Sequence, residues 1–171
     1  MSSNQRNDGV IFGGTFDPIH EGHLSVIRTL LVDYERVIIA PTGQNPWKPE
    51  QATPFAMRFH MIALVLESEG IRYSERIKDR GLILYNSPYL FSVDLLKELR
   101  RKGYKALTWA VGADNAASVS EWRDWSTLGC PVVTIPVTID RHASAVREGR
   151  ELLHPALKDY VKLNRLYTAS T

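Results

Sequence analysis

The chain has 171 residues, 44% hydrophobic and 23% charged, values of an ordinary globular domain long enough to bury one full core. Its 21 basic and 19 acidic residues leave a net charge of +2, too small for an electrostatic footprint on nucleic acid. Cys130 is the single cysteine, which excludes an internal disulfide framework and cysteine-rich zinc sites and fits a reducing compartment. The segment Met1–Asp8 is polar, without the apolar stretch of a secretory signal, and no apolar run approaches the ~20 residues of a membrane span. By elimination, a cytoplasmic protein without membrane or nucleic-acid partners is expected.

The first expected element is a strand, Val10-Ile11-Phe12, β-branched and aromatic as a buried strand requires. Gly13 and Gly14 follow and let the backbone turn sharply and come close to a ligand. A helix is expected from about Gly22 to Tyr34, with Leu24, Ile27, Leu31 and Tyr34 on one face. Its unsatisfied N–H groups and dipole favour an anion at the strand–helix junction. His20 and His23 are three apart, so both imidazoles can lie on the side of the first turn that faces the anion. The combination describes a phosphate site whose imidazoles meet the charge that develops in phosphoryl or nucleotidyl transfer.

Arg36–Ala40 reads as a second strand, followed by a breaker-rich loop, Pro41–Pro49. Pro54 opens a helix with Phe55, Phe59, Ile62 and Leu66 on one face. Ile71–Ile77 and Leu82–Tyr85 are short strand candidates around a turn at Asp79-Arg80-Gly81. A helix is expected over about Leu90–Arg101, with Ser92, Leu95, Leu96 and Leu99 on one stripe. The basic cluster Lys97, Arg100, Arg101, Lys102 and Lys105 complements that helix's C-terminal dipole. Ala106–Val111 reads as a buried strand ending in Gly112-Ala113-Asp114-Asn115. Then come a short helix carrying Trp122 and Trp125, a strand over Pro131–Val137 and a helix from about Ala143. A last helix near Pro155–Leu163 turns Leu157, Tyr160 and Val161 inward, and the tail after Leu166 is expected to fray.

Strands alternating with helices imply an α/β domain with a mostly parallel sheet. Ligands bind such sheets beyond the carboxyl ends of the strands, at the topological switch point. That rule gathers Gly13-Gly14, the Pro41–Pro49 loop and Gly112–Asp114 around one crevice.

The stretch Gly13-Gly14-Thr15-Phe16-Asp17-Pro18-Ile19-His20-Glu21-Gly22-His23 matches the Gly-Gly-Thr-Phe-Asp-Pro-Ile-His-x-Gly-His signature of the nucleotidyltransferase superfamily. Across nearly its whole length the chain resembles the nicotinate/nicotinamide mononucleotide adenylyltransferases. The resemblance implies a Rossmann-like single domain over residues 1–171, with helices on both faces of the sheet. It further implies transfer of AMP from ATP to a pyridine mononucleotide, releasing pyrophosphate, by direct in-line attack. Mg2+ would arrive with ATP, and no dedicated metal cage is evident. Carried over residue by residue, the resemblance makes His20, His23, Lys48 and Arg147 catalytic and puts Gly14, Thr15 and Phe16 beside ATP. Thr15 and Phe16 would also touch the mononucleotide.

Lys48 lies in Pro41-Thr42-Gly43-Gln44-Asn45-Pro46-Trp47-Lys48-Pro49, which is similar to the family's Pro-x-His-Lys loop with Trp47 in the place of histidine. Without the resemblance, Lys48 reads equally as a solvated surface lysine. Ser92, in Ser87-Pro88-Tyr89-Leu90-Phe91-Ser92-Val93-Asp94, stands where the family has a mononucleotide-contacting threonine, or with Asp94 it caps its helix. Gly112 allows close approach of a nucleotide, and Asp114 would accept hydrogen bonds from it. Trp122 is the implied platform for the pyridine ring, and Trp125 reads as core.

The second phosphate motif departs from the pattern. Where the family has Ser-Ser-Thr-x-x-Arg, this chain has His142-Ala143-Ser144-Ala145-Val146-Arg147, so two hydroxyls are gone and the arginine is kept. Arg141 and His142 stand just upstream, basic groups against a helix start, and are expected to replace the lost hydroxyls with charge toward the triphosphate. The departure leaves open a non-catalytic nucleotide-binding relative. Another enzyme of the same fold, a pantetheine-phosphate adenylyltransferase or a cytidylyltransferase, is the other alternative. A homo-oligomer is left open too.

Overall fold

A computed structural model describes residues 8–43, 52–127, 129–136, 139 and 141–168. Its centre is β1 (Gly9–Gly14), flanked by β2 (Arg36–Pro41) on one side and β5 (Leu107–Gly112) on the other. Outside them lie β4 (Gly81–Leu84), β3 (Tyr73–Ser74) and β6 (Val132–Ile135), in the order β3-β4-β2-β1-β5-β6. Each pairing among the described strands is parallel. A parallel sheet covered on both faces wants continuous apolar runs. β1 and β2 supply them, with Val10, Ile11, Val37, Ile38, Ile39 and Ala40 inaccessible to solvent.

Alternate residues of the strands feed two cores. Val10, Phe12, Val37 and Ile39 pack with α1 (Glu21–Asp33) and α2 (Phe55–Ser68). Ile11, Ile38 and Trp109 pack on the other face with α3 (Ser92–Arg101) and the 3-10 segments Ala113–Glu121 and Trp125–Thr127. α4 (Ala143–Arg147), a 3-10 turn at Pro155–Leu157 and α5 (Lys158–Leu163) complete the fold. Helices thus cover both faces, as expected. The chain leaves β1 toward β2 on one side and returns as β5 on the other, so the switch point lies at the carboxyl ends of β1 and β5.

Several expectations need correction. The buried stripe of α1 is Leu24, Val26, Ile27 and Leu30, with Leu31 and Tyr34 at its margin. In α2 the stripe is Arg58, Met61, Ile62, Val65 and Leu66, and Phe55 and Phe59 are only half-buried. The strand expected over Ile71–Ile77 shrinks to Tyr73–Ser74. Ser74 Oγ donates to Asp79 Oδ2 at 2.6 Å and accepts from Arg76 N at 3.1 Å, so a local polar turn displaces further ladder pairing. The last helix starts as a 3-10 turn, where Pro155 lacks an N–H and His154 Nδ1 accepts from Ala156 N. Only Leu157 of its predicted inner face is fully buried, with Tyr160 and Val161 packed at the edge of the core.

The expectation of fraying beyond Leu166 fails at Tyr167. Left-handed backbone at Arg165 (φ 52°) and Tyr167 (φ 55°) turns the chain back, and the Tyr167 hydroxyl donates to Asp17 Oδ1, 150 residues away.

Candidate active site

A cavity of about 820 Å3 opens at the switch point. β1 and its loop bring Gly14, Thr15 and Phe16 to it, the start of α1 brings His20 and His23, and the end of β5 brings Gly112. Arg141, His142, Ser144 and Arg147 line the side formed by α4, and Trp122 closes another wall. The predicted ATP-contacting residues therefore meet in one place, apart from Asp114, whose side chain lies outside the described structure. Lys48 likewise lies outside the described residues. Ser92 is the first residue of α3, half-buried, and does not line the cavity. Neither it nor Asp94 caps α3, where Phe91 is the capping residue without a side-chain hydrogen bond. Arg123, next to Trp122, stacks its guanidinium 4.8 Å from the Phe91 ring, so the Trp122 turn and the start of α3 are neighbours.

The two histidines form the first turn of α1 reciprocally. His20 is the N-cap, and its Nδ1 accepts from Gly22 N at 3.1 Å. His23 Nδ1 in turn accepts from His20 N at 3.1 Å. Imidazoles thus do the work that hydroxyl and carboxamide groups do in an ordinary capping box. Their rings stack with centroids 3.7 Å apart, and Phe16 lies 4.7 Å from His23 on its other side. Because each Nδ1 accepts from the backbone, the neutral rings carry their proton on Nε2. Burial, with the neighbouring His20 second, holds His23 well below the ordinary histidine value. With each Nδ1 accepting from the backbone, the turn offers Nε2–H as its donors.

Gly22 is what lets the rings stack this way. A Cβ there would sit 2.9 Å from His20 Cε1, 3.0 Å from its Nδ1 and 3.3 Å from Ile139 O. Gly22→Ala is expected to tilt the His20 ring off its cap, costing about 0.5–2 kcal/mol in urea unfolding and a larger share of any turnover. A variant with wild-type stability and activity contradicts this role. Gly13 lines the cavity, where its backbone can come close to a ligand, and it also gives room to the protein. A Cβ at Gly13 would meet Tyr89 Oη at 2.6 Å and Trp109 Cζ2 at 2.8 Å.

Two residues that sequence patterns did not single out hold the loop between β1 and α1. Arg58 is completely buried. Its Nε donates to Thr53 O at 2.6 Å and its Nη1 to Thr15 O at 2.7 Å. Its Nη2 donates to Thr42 O at 2.8 Å and Gly43 O at 2.7 Å. One planar fork thus fixes the phosphate loop, the exit of β2 and the approach to α2. Its position on the buried stripe, three and four residues before Met61 and Ile62, is the signal that could have revealed it. The second residue is Tyr167, on Asp17. Asp17, 2% exposed, also accepts Thr53 N on Oδ2 at 3.0 Å, and its carbonyl accepts Arg147 Nη1 at 2.7 Å. Phe16, just before it, adopts a left-handed backbone (φ 51°) that non-glycine residues seldom take.

α4 is a single short turn. His142 N donates to Glu151 Oε2 at 2.8 Å, and Arg141 Nη1 donates to Leu152 O at 3.0 Å. The Arg141 Nε is buried without a hydrogen-bond partner. Arg141 and His142 therefore stand on the cavity wall as expected, while local partners hold part of each residue.

Asp17 is the one carboxylate among the described lining residues, and both of its oxygens are taken. Among the described residues, the one group of three His, Cys, Asp or Glu ligand atoms close enough to hold an ion lies away from this wall. There Glu21, Glu69 and His154 cluster within 4.8 Å. His154 Nδ1 accepts from Ala156 N, so Nε2 carries the hydrogen and meets Glu69 Oε1 at 2.7 Å, a clasp between α1, α2 and the turn before α5. That bond and Arg28 pull the Glu69 carboxyl below its usual value.

Trp122 meets Trp109 and Trp125 edge to face, at 5.7 and 5.2 Å between centroids. Trp125 is buried, as expected, and Trp122 is half-buried on the cavity wall.

The cytidylyltransferase-like family model matches residues 11–157. The probable nicotinate-nucleotide adenylyltransferase of Stenotrophomonas maltophilia is 33% identical over 125 residues, covering 70% of this chain and 55% of the relative. That of Laribacter hongkongensis is 28% identical over 214 aligned positions, covering 94% of each. The alignment to the Stenotrophomonas protein thus spans little more than half of that relative's length. Among solved structures, Plasmodium falciparum nicotinic acid mononucleotide adenylyltransferase complexed with NaAD superposes with a TM-score of 0.72 at 18% identity, covering 93% of this chain and 96% of that one. At that identity the likeness establishes the fold.

Proposed function

The chain belongs to the cytidylyltransferase-like family, and within it we propose that this protein joins AMP from ATP to nicotinate mononucleotide, releasing pyrophosphate. The observation that carries the reading is the reciprocal histidine cap on the cavity at the end of β1. It presents two Nε2–H donors, pre-set by their own backbone hydrogen bonds. The names of the curated relatives support nicotinate rather than nicotinamide as the pyridine.

In the proposed reaction a phosphate oxygen of the mononucleotide attacks the α-phosphorus of ATP. The new P–O bond forms opposite the bond to the β-phosphate, which breaks and gives its electron pair to pyrophosphate. No protein nucleophile is needed, because positioning and charge stabilisation account for such transfers. His20 and His23 would donate to the α-phosphate oxygens as charge builds on them. Arg141 and Arg147, on the same cavity, would bring positive charge to the β- and γ-phosphates, and Lys48 is assigned to the phosphates as well. Gly14, Thr15, Phe16 and Gly112, which line the cavity, are assigned to ATP together with Asp114, and Ser92 is assigned to the mononucleotide. Magnesium belongs to the reaction as part of the Mg-ATP substrate, where it would screen the leaving pyrophosphate.

Trp122 is assigned to the pyridine ring, since an exposed indole face adds about 1–3 kcal/mol per stacked base. Trp122→Ala is expected to raise KM for nicotinate mononucleotide about 5–100-fold while KM for ATP stays within twofold. A rise in the ATP value instead would move Trp122 to the adenosine side. Nucleotide choice tests the reaction class: preference for ATP supports the proposal, and turnover of CTP with a different acceptor contradicts it. The competing reading, a nucleotide binder without turnover, draws on Glu151, whose carboxylate sits at the start of α4 near the expected triphosphate.

A further inference from the structure

The contact between Tyr167 and Asp17 ties the C-terminal segment to a loop that Arg58 already links to the approach to α2. Asp17 lies in the loop after β1, Thr53 just before α2, Arg147 at the end of α4, and Tyr167 beyond α5. The Asp17 side chain is saturated from two directions, by the Tyr167 hydroxyl on Oδ1 and the Thr53 N–H on Oδ2. Its carbonyl holds Arg147, the arginine kept in the second phosphate motif. Tyr167 is half-buried, and its hydroxyl also touches Met61 Sδ of α2 at 4.0 Å.

Backbone conformation points the same way. Non-glycine residues in the left-handed region cost of order 1–3 kcal/mol each, and they persist where surrounding contacts over-determine them. Three such residues, Phe16, Arg165 and Tyr167, flank the two ends of this one hydrogen bond. Burial, and then the Asp17 hydrogen bond, raise the Tyr167 hydroxyl far above an ordinary phenol, so it stays a donor at every working pH.

We propose that Tyr167 is a positioning residue for the triphosphate side of the site. Through Asp17 it sets where the Arg147 guanidinium and the Thr15–Asp17 loop stand. Loss of the hydroxyl leaves a buried carboxylate oxygen without its donor, and Asp17 then shifts toward water or another partner. Arg147 follows, because its Nη1 is bonded to the carbonyl of the same residue. On the pyridine side Trp122 and the start of α3 share no partner with this knot among the described residues, and only Thr15 and Phe16 belong to both, so the mononucleotide is affected less than ATP. The kinetic form of the proposal rests on the adenylyltransferase reading.

The test is Tyr167→Phe in the full chain, which keeps the ring and removes only the oxygen. The expected result is a KM for ATP raised about 10-fold, with a smaller rise in KM for nicotinate mononucleotide and a lowered urea midpoint. A displacement of this size, remote from the reacting atoms, can cost up to ~100-fold. Asp17→Asn is expected to give a similar loss, and the double variant no more than the larger single loss, since both act through one contact. Hydrogen exchange at the Thr53 amide should speed up in Tyr167→Phe, a readout that needs no turnover. Equal changes in both KM values, an unchanged ATP value, or fully additive losses would overturn the proposal. If the wild-type protein does not form the dinucleotide, the function reading fails alone. ATP binding by calorimetry then decides for Tyr167: a 10-fold loss in Tyr167→Phe supports positioning, and unchanged affinity overturns it.

Discussion

Replacing Arg58 by methionine is expected to destabilise the protein by about 3–5 kcal/mol, the range found when one member of a buried charged network is removed. Methionine fills the channel but leaves the carbonyls of Thr15, Thr42, Thr53 and Gly43 without their shared donor. Each orphaned buried acceptor costs about 1–3 kcal/mol unless it finds water. Lysine is expected to recover little, because a single ammonium cannot reach carbonyls arranged around a planar fork. Urea unfolding of both variants reads the effect, and a loss below about 1 kcal/mol for Arg58→Met would mean that the loops hold themselves.

The second large effect concerns turnover. His23→Asn keeps an oxygen acceptor for the His20 N–H and removes the Nε2–H donor. If that donor serves charge formed only in the transition state, kcat should fall about 100–1,000-fold with ATP and mononucleotide binding nearly unchanged. Poor binding with normal turnover at saturation would assign His23 to the ground state. The depressed His23 value also sets a pH signature for stability. Below the ordinary histidine pKa of about 6.5 the unfolded chain takes up a proton at this residue that the folded chain refuses. Stability therefore falls as pH drops through that window and gains nothing more from this group above it. His23→Asn should flatten that slope.

The parts of the fold legible in the sequence are those fixed by local pattern. β1, β2 and β5 centre on apolar runs, Val10-Ile11-Phe12, Val37-Ile38-Ile39-Ala40 and Trp109-Ala110-Val111, and the histidine pair sits at the first turn that its spacing implied. Arg147, Ser144 and Gly112 do reach the same cavity as the histidines. What escaped is non-local. Arg58 gathers carbonyls 15, 16 and 43 residues away, and Tyr167 reaches across 150. No periodicity encodes such contacts. Gly13 serves twice: it lines the cavity, and its missing Cβ also makes way for Tyr89 and Trp109, a packing demand its own neighbours in sequence do not show. β3 was overextended because its apolar pattern continues after the Ser74–Asp79 turn has captured the backbone.

The central claim, adenylyl transfer to a pyridine mononucleotide, is tested most directly by following the α-phosphate of ATP. The wild-type chain is incubated with ATP labelled at that position, Mg2+ and nicotinate mononucleotide, and the products are separated by chromatography. The proposed chemistry predicts label in the dinucleotide, one pyrophosphate released for each dinucleotide formed, and no label left on the protein. Bound ATP that remains intact beside nicotinate mononucleotide, or label that leaves only as free AMP, would contradict it.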